Sequence, residues 1–453
     1  MRYVYPKVTA LLIIIMVTST SFVTKTEAMP NFARKYNLPC SGCHAVVPRL
    51  NEFGWKFRAA GYRLPEEIGK PIANFNLGDY FDGRMNVSVN DVSTTSATPG
   101  SASINNFNLQ FAGASLYALF GALNSHVSSE MELGFNPPSP ANNGTSGLSF
   151  PVSVSTASVG YYTGSENSWF STRVGIINTI QGYGASDRGI SSGSALMTSA
   201  YAINLPAIAA GDKIVPGYTG VGGGNMGIDL GYVYNRTALH AEILSGYAYD
   251  AKDKPYAAVG GGSAKPTGTA PSANSLDFMV FANQILTEDG GGVSAVYYHG
   301  TADINTNTTT KTSNNDSLFW TDKFSRWAVY ASYPIERALI LAGYENGMDN
   351  TWTLKSFAYA ADAQSHGFFG EADYALTDLV GFGLRYDLVN PNTAQNNNKI
   401  SQFTGFVNYN FGDGLQLIAQ YSAKSSDTPA SNGTDLLGTA KNNTFVLRIS
   451  WIQ

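Results

Sequence analysis

Cys40-Ser41-Gly42-Cys43-His44 places two thiols and an imidazole within five residues, and these cysteines are the chain's only two. A C-x-x-C-H string is the attachment site of c-type haem. Each thiol adds across one vinyl group, and the adjacent imidazole becomes the proximal iron ligand. The spacing suits this chemistry because one short turn must present both sulfurs and a ring nitrogen to one flat macrocycle. A redox C-x-x-C pair would want a βαβ setting, which the chain lacks. A zinc site needs further Cys or His at metal spacing, and no second cluster exists. The expected cofactor is therefore one covalent haem c held by Cys40, Cys43 and His44, with His44 on the iron.

The sixth iron position is open. Methionine and histidine are the usual protein ligands, and they shift the potential strongly. Near the motif only Met29, or the amine beside it, is available. His126, expected beside Glu130 on the polar face of a strand, and His240, on a face with Glu242, are the other candidates. Water is the remaining alternative. His299 and His366 fall nearer long connections, while Met85 and Met131 lie on apolar faces.

Three kinds of segment surround these residues. Residues 1–28 read as a secretory signal: Arg2 and Lys7 precede the apolar run Val8 to Val17, and Thr26-x-Ala28 is an acceptable cleavage site. That run is shorter than the roughly 20 residues of a spanning helix, and no later run qualifies. Residues 29–73 form the haem segment. Residues 74–453 have one uniform texture, with charged residues only 13% of the chain alongside 47 Gly, 26 Tyr and 24 Phe. That composition favours many strands over helices.

Period-two alternation runs through this last part. Met85, Val87 and Val89 oppose Arg84, Asn86, Ser88 and Asn90. Phe170, Val174 and Ile176 oppose Trp169, Ser171 and Arg173. Phe445, Leu447, Ile449 and Trp451 oppose Arg448 and Ser450. The pattern predicts sixteen strands, the first over 80–91, the third over 125–135 and the last over 443–452. Long connections rich in Gly, Ser, Thr and Asn alternate with short ones such as Asn235-Arg236-Thr237 and Gly412-Asp413-Gly414. Short periplasmic turns, long extracellular loops and an even strand number mark outer-membrane barrels. The expectation is an all-β, transmembrane antiparallel barrel with both ends in the periplasm. A soluble sandwich or propeller is the competing arrangement, but no blade-length repeat is present.

Seven basic side chains against three acidic give residues 29–73 a net charge of +4, whereas residues 74–453 carry −11. The two parts should attract. A 45-residue segment is near the size at which a domain needs help from a cofactor or partner. Leu50, Phe53 and Phe57 make a helical stripe, with Pro48 in its first turn and Gly61 at its end. Inserting this segment into the barrel lumen as a plug would cover its remaining apolar surface.

Phe32-Ala33-Arg34-Lys35-Tyr36, then Pro48 to Gly54 and Phe57 to Tyr62, resemble the fused monohaem cytochrome–porins of the bacterial outer membrane. That family includes the iron-oxidising outer-membrane cytochromes. The similarity covers residues 32–62, and the barrel matches only in length and texture. The resemblance implies thioether bonds at Cys40 and Cys43, proximal ligation by His44, and electron transfer from extracellular Fe(II), or another small redox species, to a periplasmic c-type cytochrome. Outer-membrane lipid is the third partner, and no nucleic acid is expected. Outer-sphere transfer changes no bond to carbon, so no catalytic acid–base pair is required. Two alternatives stand beside an Fe(II):cytochrome c oxidoreductase: a reductase of extracellular acceptors, and a passive diffusion porin with a haem-bearing plug.

Overall fold

Alternating residues in the barrel part become hydrogen-bonded strands whose outer side is apolar and whose inner side is mixed. The computed structural model describes residues 30–46, 49–72, 76–98, 100–135, 152–177, 225–245, 276–306, 318–350, 363–377, 379–390, 393, 397, 399–412, 414–429 and 436–452. Met29 and the expected signal, 1–28, lie outside them, as does Pro48.

Sixteen strands follow in order: β1 (Phe81–Thr95), β2 (Ile104–Ala118), β3 (Val127–Phe135), β4 (Val152–Ser165), β5 (Ser168–Ile177), β6 (Asn225–Tyr234), β7 (Thr237–Ser245) and β8 (Leu276–Ile285), then β9 (Gly292–Thr306), β10 (Leu318–Ile335), β11 (Ala338–Asn350), β12 (Ala363–Ala375), β13 (Val380–Asn390), β14 (Ile400–Gly412), β15 (Leu415–Pro429) and β16 (Leu436–Ile452). Each pairs antiparallel with its sequence neighbours. β16 closes on β1, with Arg84 opposite Ile452 and Lys441 opposite Thr95. Closure leaves no unpaired edge. β2 breaks at Leu119 and Phe120, then resumes as Gly121–Ala122 against β3. Leu119 has φ of 50° and Gly121 of 133°, so the break is a true change of backbone direction.

The outer face is apolar, and the inner face mixes buried charges with apolar side chains. Asp229, Asp277, Arg326, Glu345 and Asp387 are wholly buried toward the lumen, while Leu230, Phe278, Trp327, Leu384 and Phe403 are exposed on the outside. The shortest strand has 9 residues and the longest 18. A tilted transmembrane strand needs about 9–11. No described helix is long and apolar enough to cross a membrane.

Strands enter and leave through short turns at one end, among them Glu166–Asn167, Asn235–Arg236 and Glu336–Arg337. β1 starts and β16 ends at that same end, since Phe81 faces Ala118 and Met85 faces Trp451.

The N-terminal segment contributes three short helices: α1 (Pro30–Tyr36), α2 (Cys40–Cys43) and α3 (Glu52–Ala59). It packs into the short-turn mouth. Trp55, Ala60 and Ile68 share one buried cluster with the barrel residues Trp169, Val233, Ala238 and Phe281. The Trp169 indole donates to the Ala59 carbonyl at 3.3 Å. Arg63 donates to the carbonyls of Asn124 and Ser125 and to the Ser128 hydroxyl. A second cluster joins Phe32, Phe57 and Tyr62 to Tyr117 and Phe120 at the break in β2.

α3 differs from the expected stripe in where it starts. Asn51 is its N-cap, so Leu50 lies before the helix, in a short ladder opposite His44. Its end matches expectation. Gly61 has φ of +74°, and the amides of Gly61 and Tyr62 return to the carbonyls of Arg58 and Phe57, each at 3.0 Å. This is a Schellman closure. A Cβ at Gly61 would also press on the Tyr162 ring and the Ser128 hydroxyl.

Candidate functional site

Asn51 ties the cysteine motif to α3. Its backbone amide donates to the Cys43 carbonyl at 3.0 Å. Its side-chain amide donates to the carbonyls of Gly42 (3.0 Å) and Ser41 (3.3 Å), while its side-chain oxygen accepts from the Gly54 amide at 2.8 Å. One side chain thus caps α3 and satisfies carbonyls at the end of α2. Gly54 completes the contact, because a Cβ there would collide with the Cys43 carbonyl. Glycine is needed for this close approach of helix and turn.

Residues 40 and 43 mark the two ends of the single turn α2, and His44 opens the ladder that follows. Cys43 and His44 are half-buried. The backbone therefore delivers the three motif residues in one continuous bend, supported from below by α3.

Beside that bend lies a cleft with about 830 Å³ of empty space, its open mouth included. Ala45, which follows His44, and Leu50, its ladder partner, both line it. Trp55, Ile285 and Leu339 add apolar wall, and Arg49 and Arg337 stand among its polar residues. Asp289, Glu336 and Ser332 complete the polar share of the lining, so apolar and polar surface are nearly balanced. The lining reaches the motif through Ala45, and its apolar residues would suit the ring of a haem c and its arginines the carboxylates, while Asp289 and Glu336 oppose them. Among the described residues no group of three or more His, Cys, Asp and Glu could hold a bare metal ion.

Charged latches fix the segment. Arg236 of the β6–β7 turn lies 2.6 Å from the Glu52 carboxylate, which Lys56 approaches at 2.8 Å on the same helix. Burial works against the ionised Glu52, but hydrogen bonds from Arg236 and Lys56 outweigh it and hold the pKa below the usual carboxylate range. Burial also pushes the Lys35 ammonium down, against attraction from Glu67 and Asp79. Arg49 reaches the lumen-wall Glu371 at 3.8 Å, and the Glu52 amide donates to the Glu288 carbonyl at 3.0 Å.

The proposed sixth ligands divide. His126 sits in the turn before β3 rather than on its polar face. Its ring stacks on the exposed Tyr161, and its Nδ1 pairs with the Tyr162 carbonyl at 2.8 Å. His240 is on the lumen wall as expected, sharing its buried face with Glu242. Its Nδ1 lies 2.9 Å from Asp229, which Arg173 also contacts at 2.9 Å. His299 points outward. The structure adds Asn51, Gly54, Trp55 and Arg49 to the site. Asn before Glu at a helix start was a readable cap, whereas Gly54 and Trp55 carry no local signal.

No protein-family model matches the chain, and no curated protein matches it. Among solved structures it is similar to OmpT of Vibrio cholerae, with 13% identity, a TM-score of 0.47 and coverage of 82% of this chain and 97% of that one. It is similar to OmpF of Salmonella typhi at 13% identity and TM-score 0.49, covering 82% and 97%. An anion-selective porin from Comamonas acidovorans gives 11% and 0.48, covering 82% and 98%. Likeness at this level says nothing of what this chain carries or binds.

Proposed function

We propose that this chain is an outer-membrane cytochrome–porin that carries electrons across the membrane, from extracellular Fe(II) to a periplasmic c-type cytochrome. The observation that carries the reading is the position of the C-x-x-C-H bend, held by Asn51 and Gly54 on a segment seated in one mouth of a closed barrel. The apolar exterior favours lipid as its surroundings. The signal-like residues 1–28 and the resemblance of residues 32–62 support export and haem attachment. Both barrel ends are at the short-turn side, which is the periplasmic side in outer-membrane barrels.

Haem c bound at Cys40, Cys43 and His44 would supply one-electron redox chemistry. The chain's own residues do the rest. The lumen wall carries buried charged groups among apolar ones, and the net charge of −11 on residues 74–453 raises the local concentration of a cation. The segment closes the short-turn mouth through Trp55, Arg63 and Glu52, so a donor entering from the long-loop side meets the plug and not the periplasm. A soluble acceptor meets the plug's other side. Stopped-flow absorbance tests this: the purified, oxidised protein mixed with Fe(II) should show fast, saturable growth of the haem α-band. Haem that stays oxidised under Fe(II) and reduces only at low potential favours an outer-membrane reductase instead. The charged groups buried in the lumen, among them Arg326, Arg385 and Asp387, favour a second reading, a passive porin, which ion conductance separates.

A further inference from the structure

We propose that the cleft between the N-terminal segment and the β8–β9 and β10–β11 turns is the seat of the haem, with Leu50, Trp55, Ile285 and Leu339 against the ring and Arg337 on its carboxylate edge. This rests on the haem reading above and adds the barrel residues that receive the group. Thioether bonds fix the cofactor only at the motif, so the ring must lie over whatever surface adjoins that bend. The cleft adjoins it through Ala45 and Leu50, on either side of the ladder that begins at His44.

The two walls come from distant parts of the chain. Leu50 and Trp55 belong to the segment, and Ile285 and Leu339 belong to β8 and β11. Gly290 makes the join close, since a Cβ there would collide with the Leu50 carbonyl. A flat apolar ring between them would remove both walls from water.

The polar groups at the mouth are unequal. Arg49 already shares Glu371 with Arg385. Asp289 and Glu336 also line the cleft, and they oppose an anion. Arg337 is exposed, donates to the Leu376 carbonyl at 2.8 Å, and has no carboxylate within 4 Å among the described residues. Among the described residues it is a cation without an anionic partner at the rim of the cleft, and a planar guanidinium suits a carboxylate. A haem carboxylate held there would lie at the short-turn side, where Arg337 stands.

The test uses the full-length holoprotein and two barrel substitutions remote in sequence from the motif. Arg337→Leu should keep covalent haem and lower its midpoint potential, because losing a nearby cation favours the oxidised iron. Leu339→Trp should fill the cleft and shift the Soret and α bands or reduce haem content per chain. Arg337 is in an exposed turn, so the first variant remains informative if the second fails to fold. Haem that keeps wild-type bands and potential in the folded variants would overturn the seat alone. Absence of covalent haem from the wild-type protein would overturn the reading beneath it, and the seat with it.

Discussion

Glu52 shows how a single side chain makes the plug respond to pH. Its pKa in the folded protein is held below the unfolded value of about 4.3. The latch to Arg236 and Lys56 therefore contributes fully above that value and is lost as pH falls through the depressed folded-state pKa. Limited proteolysis of the segment should accelerate on acidification through that range. Glu52→Gln should raise cleavage at neutral pH and flatten the acid-dependent step, and identical profiles for the two proteins would dismiss the latch. Gly54 acts through space alone. Gly54→Ala forces a Cβ onto the Cys43 carbonyl, and overpacking of this kind costs about 1–3 kcal/mol. Amide exchange across residues 40–54 should quicken accordingly. At this scale the C-x-x-C-H motif stood out as a candidate site because its spacing is its signal. Its supports did not, because a glycine needed for contact between two short helices leaves no periodic trace. His126 was misplaced because β3 begins at Val127, two residues later than alternation suggested.

Elements were legible where one face meets an apolar solvent. All sixteen strands follow from alternation, in the right order and close to their observed positions. The misjudged ends share a cause. The last strand starts at Leu436, ahead of the expected 443, and the ladder that pairs Ser425–Thr428 with Gly438–Lys441 is built from polar and small residues. Backbone pairing there continues past the apolar band, carried by hairpin register, so no side-chain alternation announces it. The break in β2 has a similar origin, since Leu119 and Gly121 adopt positive φ to let Phe120 join the plug's aromatic cluster. Helix α3 depends on its cap more than on its stripe. Asn51→Ala removes the acceptor for the Gly54 amide and both donors to the α2 carbonyls. Loss of a cap costs about 1 kcal/mol, and leaving the α2 carbonyls unpaired adds to it. Hydrogen exchange should show α3 opening more often while the β-strands keep their protection; unchanged exchange in α3 would dismiss the capping role.

For the whole molecule, the central relation is between plug and pore. The lumen wall is mixed: Asp229, Glu345, Arg326 and Arg385 are buried along it beside apolar residues such as Val296, Phe324 and Leu341, and if its charged stretch were left open the barrel should conduct ions. The segment seats in the short-turn mouth, with Trp55, Ala60 and Ile68 in one cluster with the wall. The intact protein should therefore show low single-channel conductance in a planar bilayer. Trp55→Ala empties the centre of that cluster, and large-to-small changes at such sites cost about 3–5 kcal/mol, enough to release the plug for part of the time. Conductance should then rise in discrete steps. With residues 74–453 at −11, the reversal potential in a salt gradient should show preference for cations. Electron transfer and passive conduction make opposite demands on the same segment: the first needs it seated, the second needs it displaced. Wild-type conductance equal to that of Trp55→Ala would mean that the segment does not close the pore, and would turn the assignment toward a diffusion channel.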